Sequence, residues 1–420
     1  MTGQLPTPSA SANAASIPAR RWSMDRRTQV LLCASGASFM IMLDSNIVAV
    51  SLPSIARDLH AAFADIEWVV SAYILSFAAL LMAAGSLADR FGRKPMLVAG
   101  LAVFTAASAL CGLAPSAAVL NVARAVQGVG AAMQLSAGLS VLSHTFRGPD
   151  RARAFGFWGT VVGVAVAVGP LVGGTITSAF GWRWAFLVNV PFGATLIMLA
   201  IRAVEDSRDP AAGRLDLAGM ALFGGALTLL VWALIGANAD GWSSQSTVWK
   251  LTGAGALLAL YVIAELKQDR PMVDFALFRH RTFLGSSVAM LGFASAAQVM
   301  MTYLPLYLQN SFDFSPIAAG VRMLPFALPL VVMPRLAAWL AGRVSGRTLL
   351  TLGLAVVAAG NLATAATVTA DLPYAAVALG MMLTGCGAGL LNGETTKVGM
   401  GCGGDPRPDQ DGRRPGRSGP

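Results

Sequence analysis

The sequence predicts an all-α integral membrane protein with about twelve spans. Three observations carry that reading. Of the 420 residues, 55% are hydrophobic and only 12% charged, about half the charged share of a soluble domain. The apolar residues fall in runs of about 20, the length of a helix that crosses a bilayer. Basic residues crowd into alternate loops, as at Arg90, Arg93 and Lys94, then Arg147, Arg151 and Arg153, then Arg202, Arg208 and Arg214. The formal net charge of +9 therefore sits on one membrane face. The positive-inside rule makes that face cytoplasmic, with both termini on it. Placement accounts for the charge, so no nucleic-acid partner is implied.

Taken in order, residues 1–28 are rich in Ala, Ser and Pro and read as a disordered cytoplasmic tail. The long apolar run after them contains Asp44 and reads as an uncleaved first span, not a signal peptide. Spans at 29–52, 68–88, 95–114, 117–142, 154–179 and 184–203 make a six-helix N-terminal bundle, 29–203. Residues 204–281 hold a polar linker and two extra central spans, 215–236 and 247–265. Spans at 282–308, 316–341, 347–369 and 373–396 make an incomplete C-terminal bundle, 282–400. Residues 401–420 form a polar tail of Gly, Pro, Arg and Asp without apolar periodicity. That composition is what GC-rich coding sequence yields out of register. The expectation is a chain truncated at its C-terminal end by a shifted frame after Met400, and unstable or inactive as written.

Between the second and third spans lies Gly85-Ser-Leu-Ala-Asp-Arg-Phe-Gly-Arg-Lys-Pro95. Asp89 closes a helix whose C-terminal dipole disfavours an unpartnered carboxylate. Gly92 frees the short connection, and Pro95 suits the first turn of the next helix. With Gly85, Arg90, Arg93 and Lys94, these residues resemble the loop signature of the major facilitator superfamily of transporters. The resemblance implies the major facilitator fold, two bundles rocking about a central cavity. A degenerate echo, Ala341-Gly-Arg-Val-Ser-Gly-Arg347, falls at the corresponding place in the second half without the Asp.

Asp44 lies in the first span, in Leu43-Asp-Ser-Asn-Ile-Val-Ala-Val-Ser-Leu-Pro53. A carboxylate at this depth costs about 2.5–3.5 kcal/mol to insert. It serves either as a hydrogen bond between helices or as a site that loads and releases a proton. In the fourth span Asn121, Arg124, Gln127 and Gln134 share one helical face. Arg124 needs a water-lined cavity or a carboxylate partner. The fifth span carries Gly169-Pro-Leu-Val-Gly-Gly174, whose small residues allow close helix approach and whose Pro170 interrupts the backbone bonding. Gln298, with Met300, Met301, Tyr303 and Tyr307 in the ninth span, reads as cavity lining or as packing.

Four segments resemble motifs of the superfamily, and the first of them, with the extra pair of central spans, one of its branches. The Asp44 stretch is similar to L-D-x-T-I-V-N-V-A-L-P, with Asn46 for Thr and Ala49 for Asn. Arg124-Ala-Val-Gln-Gly-Val-Gly130 resembles R-x-x-Q-G-x-G. Gly169, Pro170, Gly173 and Gly174 resemble the antiporter motif, and Asn189-Val-Pro-Phe-Gly193 the start of the sixth span. The chain thus resembles the fourteen-span drug:proton antiporters of the EmrB/QacA type. That resemblance implies export of small amphipathic, cationic compounds across the inner membrane in exchange for protons. Asp44 and Arg124 would couple the proton, and Asp89 with its basic neighbours would latch the cytoplasmic side. The lipid bilayer and a periplasmic adaptor protein are the other partners implied, and the proton gradient replaces any cofactor. A metabolite exporter of the same mechanism and a non-transporting membrane module are the rival readings. The cysteines and the three His are scattered, so no metal site is expected. No phosphate-binding loop or nucleophile–base set suggests an enzyme.

Overall fold

The structure is a computed structural model describing residues 25–208, 216–268, 275, 279–340, 343–370 and 372–401. The expectations that rest on residues 1–24, 209–215, 341–342 and 402–420 lie outside the described residues. These concern most of the N-terminal tail, part of the linker, the start of the echo loop, and the tail with the truncation inferred from it.

The described chain is helical throughout. In the first half run α1 (Arg26–Asp58), α2 (Phe63–Phe91), α3 (Arg93–Gly112), α4 (Ala117–Thr145), α5 (Pro149–Phe180), α6 (Arg183–Leu187) and α7 (Asn189–Ala203). A central hairpin follows, α8 (Leu217–Asp240) and α9 (Gln245–Lys267). The second half holds α10 (Arg281–Ser311), α11 (Pro316–Arg322), α12 (Leu324–Leu340), α13 (Gly346–Thr369) and α14 (Tyr374–Gly401). Among the described residues, twelve helical segments are long and apolar enough to cross a membrane.

Two expected spans are each broken into two helices, and proline explains both breaks. Pro191 and Pro325 have no N–H to give Leu187 and Val321, so the backbone ladder fails at Val188 and Met323. The first span differs in the other direction. Expected to stop at Leu52, α1 continues through Pro53 to Asp58. Proline within a membrane helix is tolerated where neighbours pack around it, and Leu52, Pro53 and Ile55 are all buried.

In the first half Met40, Leu97, Leu101, Phe104, Ala131 and Leu196 form one core cluster. Ile47, Leu52, Leu120, Trp182 and Phe186 form another nearer the ends of α1 and α5. Helices α3 and α4 approach so closely that a Cβ on Gly130 would lie 2.5 Å from the Phe104 nitrogen, the small-residue packing of membrane helices. The second half has its own core of Met301, Leu304, Met323, Phe326, Leu330 and Leu391.

The halves meet at the face away from the basic loops. There the Ile317 N–H donates to Ser178 Oγ at 3.1 Å, and Gln309 Nε2 donates to the Val50 carbonyl at 2.9 Å. Toward the basic face, Gly156, Gly159 and Gly163 on α5 have open space where a side chain would be.

Candidate functional site

Asp44 occupies the middle of α1, and α1 packs against α4, α5 and α7. Its carboxylate is fully buried, and Arg124 of α4 is 1% exposed. Arg124 Nη1 donates to Asp44 Oδ2 at 2.7 Å. Gln127 Nε2 reaches Oδ1 at 2.9 Å and Asn189 Nδ2 reaches the same oxygen at 2.7 Å. The guanidinium is held in turn by Gln127 Oε1 at 2.7 Å and the Val69 carbonyl of α2 at 2.9 Å. It lies 4.1 Å from the Tyr73 ring centre, a cation–π contact. Ser108 of α3 accepts from Gln127 at 2.8 Å, and its own O–H donates to the Phe104 carbonyl at 2.8 Å.

This is a closed polar network in an apolar interior. Two opposite charges cancel, and each has hydrogen bonds besides the ion pair, the condition under which a buried pair is tolerable. Chemically it can do one thing that an apolar core cannot. A proton delivered to Asp44 would cancel the carboxylate charge and free donors on α4 and α7 at once.

The four polar residues expected on one face of α4 are thus divided by the structure. Arg124 and Gln127 join Asp44. Asn121 donates instead to the Asp65 carbonyl of α2 at 3.1 Å, tying two helices. Gln134 is buried against α3, and neither its Oε1 nor its Nε2 has a hydrogen-bond partner. In this conformation Gln127 and Gln134 have no exposed surface, because α1, α2 and α3 cover that side of α4. Gln298 lines a cavity of about 190 Å³ between α2 and α10 with Glu67 and Tyr303.

The Gly85–Pro95 loop is bonded within the first half. Arg93 Nη2 meets Asp89 Oδ1 at 3.0 Å, giving that carboxylate its cation across the helix break. The Arg93 N–H donates to Ser207 O at 3.0 Å and Lys94 Nζ to Ile201 O at 2.6 Å, which fixes the loop to the end of α7. Arg90 lies over the Phe91 ring. Gly92 has φ +115°, and a Cβ there would strike Asp206 Oδ1, so the turn requires glycine. Gly85 faces Ser136 of α4 at an ordinary contact distance.

On α5 the motif glycines are points of closest approach. A Cβ on Gly169 would lie 2.4 Å from Asn46 Cβ, and one on Gly173 would lie 2.8 Å from Ile47 Cα. On Gly174 it would lie 2.4 Å from the Pro316 carbonyl of the second half. From across the interface, a Cβ on Gly320 would meet the Pro170 carbonyl at 2.4 Å. The segment is the seam at which the halves touch.

Sequence reading missed Ser108, Tyr73, Asn189 and Glu67 as site residues. Cys111, one of the scattered cysteines, also joins the cluster, its thiol donating to Gln127 Oε1 at 3.7 Å. Asn189 carried a signal, a lone amide in an apolar run two residues before Pro191. Arg322, for which the sequence offers no partner, lies 3.7 Å from the Phe314 ring centre and 5.5 Å from that of Tyr374. Among the described residues no group of His, Cys, Asp and Glu could hold a metal ion.

Comparison with known proteins points one way. The family model described as Major Facilitator Superfamily matches residues 34–398. The chain is 36% identical over 377 residues to Multidrug resistance protein Stp of Mycobacterium tuberculosis (strain CDC 1551 / Oshkosh), covering 89% of this chain and 70% of that protein. It is 34% identical over 370 residues to the Tetracenomycin C resistance and export protein of Streptomyces glaucescens, covering 88% and 68%. The solved structure of a bacterial homolog of the human lysosomal transporter Spinster, inward-facing and unoccupied, superposes with a TM-score of 0.59. It covers 90% of this chain and 75% of that one at 18% identity, a likeness of fold alone.

Proposed function

The chain belongs to the Major Facilitator Superfamily, and on that premise we propose that it exports amphipathic, cationic drugs in exchange for protons. The reading extends to the fourteen-span drug:proton antiporter type, with the α8–α9 hairpin as the extra pair between bundles at 29–203 and 282–400. The basic face would be cytoplasmic and the membrane the cell's inner one. Relatives named for multidrug and antibiotic resistance support the class of cargo.

The observation that carries the coupling is the sealed Asp44–Arg124 pair with Gln127 and Asn189 on its other carboxylate oxygen. A proton arriving at Asp44 would discharge the acid and leave Arg124 uncompensated, so the α1–α4–α7 contacts would rearrange. A membrane potential of 100 mV supplies about 2.3 kcal/mol for each proton moved inward, enough to bias such a rearrangement. The Gly169–Gly174 seam would open when the cavity turns outward. The Asp89–Arg93 turn would set how readily the halves exchange positions.

The test is efflux of ethidium from cells producing the protein, with and without an uncoupler. Efflux above that of control cells, abolished by the uncoupler, is expected, and would overturn the expectation that a shifted frame after Met400 leaves the chain inactive. Efflux that persists undiminished after the gradient has collapsed would overturn proton coupling.

A further inference from the structure

We propose that the cavity between α2 and α10 is a recognition subsite for an organic monocation, with Glu67 supplying the charge contact. The proposal rests on the exporter reading for its biological role and adds to it the place and chemistry of cargo recognition.

Asp44 is occupied by Arg124, and Asp89 by Arg93. Glu67, in the second turn of α2, is half-buried and makes no ion pair with any described residue. Its one side-chain hydrogen bond among the described residues is a long one, from the Tyr303 hydroxyl to Oε1 at 3.4 Å. A carboxylate so placed in an apolar setting keeps most of its accepting capacity and attracts a cation more strongly than one in water.

The surroundings suit an amphipathic cation. The cavity, of about 190 Å³, has walls from Leu52, Ile66, Val70 and Leu306. Gln298, Thr302 and Tyr303 form its polar rim, and Gln298 Nε2 donates to Thr302 Oγ1 at 3.2 Å. Tyr303 is 45% exposed and Val299 55%, so the cavity opens along α10, where the apolar part of a ligand would lie. One carboxylate with one phenol and an amide matches a single positive charge. Glu67 belongs to the first half and Tyr303 to the second, so a bound cation would touch both halves and sense their separation.

The experiment compares two probes of nearly equal shape on the purified full chain, methyltriphenylphosphonium and neutral triphenylphosphine oxide. Replacing Glu67→Gln should weaken phosphonium binding about tenfold or more while the oxide stays within about twofold. Glu67→Asp should keep most of the phosphonium affinity. Unchanged phosphonium affinity in Glu67→Gln overturns the proposal. So does an equal loss for both probes, which would mean the side chain only shapes the cavity, and so does absence of phosphonium binding to folded wild type. If the variants do not fold, the wild-type chain still decides. Dicyclohexylcarbodiimide should label Glu67, and methyltriphenylphosphonium should protect it; labelling without protection overturns the subsite. Uncoupler-sensitive efflux is read separately in cells, so a failure of proton coupling and a failure of this subsite give different results.

Discussion

Arg124 Nη1 and Asp44 Oδ2 lie 2.7 Å apart, both inaccessible to solvent, and join α4, two turns from its start, to the middle of α1. Breaking one side of such a pair leaves a bare charge in the interior, which costs about 3–5 kcal/mol. Asp44→Asn is therefore expected to lower the unfolding midpoint of the purified protein and to abolish gradient-driven efflux. Combining Asp44→Asn with Arg124→Gln should recover much of the stability and none of the transport. Proton-coupled efflux surviving in the single variant would show the pair to be structural only.

Asn189 donates to the oxygen of Asp44 that Gln127 also uses. Asn189→Leu removes that donor and is expected to cost about 1–3 kcal/mol, measured by thermal unfolding, with a partial loss of efflux. An effect as large as that of Asp44→Asn would contradict the picture of Arg124 as the principal partner.

The seam on α5 admits no side chain at Gly174, where a Cβ would overlap the Pro316 carbonyl. Gly174→Val should hold the halves apart at that face. Cysteines placed as Ser178→Cys and Ile317→Cys, whose parent residues are hydrogen-bonded at 3.1 Å, should cross-link readily in the otherwise native chain. Adding Gly174→Val should reduce that yield several-fold. An unchanged yield would mean the seam absorbs the extra bulk.

Asp89 pairs with Arg93 across the turn at Gly92, and Arg93 is bonded to Ser207. Asp89→Ala should slow efflux turnover while leaving the affinity for a transported cation nearly unchanged, because the turn lies at the membrane face. Loss of affinity at undiminished turnover would defeat the assignment. Gly92→Ala should be the more damaging change, since φ +115° strains any side chain and the space is filled by Asp206.

What the sequence determined by itself was the membrane class, the number and order of the spans, the one-sided basic charge and the residues of the motifs. These are properties of composition and local order: hydropathy over about 20 residues selects a spanning helix, whatever that helix packs against. Even the breaks before Pro191 and Pro325 have a local cause, the missing N–H. The tertiary structure alone decided which polar residues meet. Asn121, Arg124, Gln127 and Gln134 share one face of α4, yet only Arg124 and Gln127 reach Asp44, because α1 crosses that face at one level. Asn189, Ser108 and Val69 join the cluster from three other helices, and no spacing along the chain encodes that meeting. The pairing of Glu67 with Tyr303 likewise spans the two halves. Helix periodicity states which way a side chain faces on its own helix; what it faces is settled only when the helices pack.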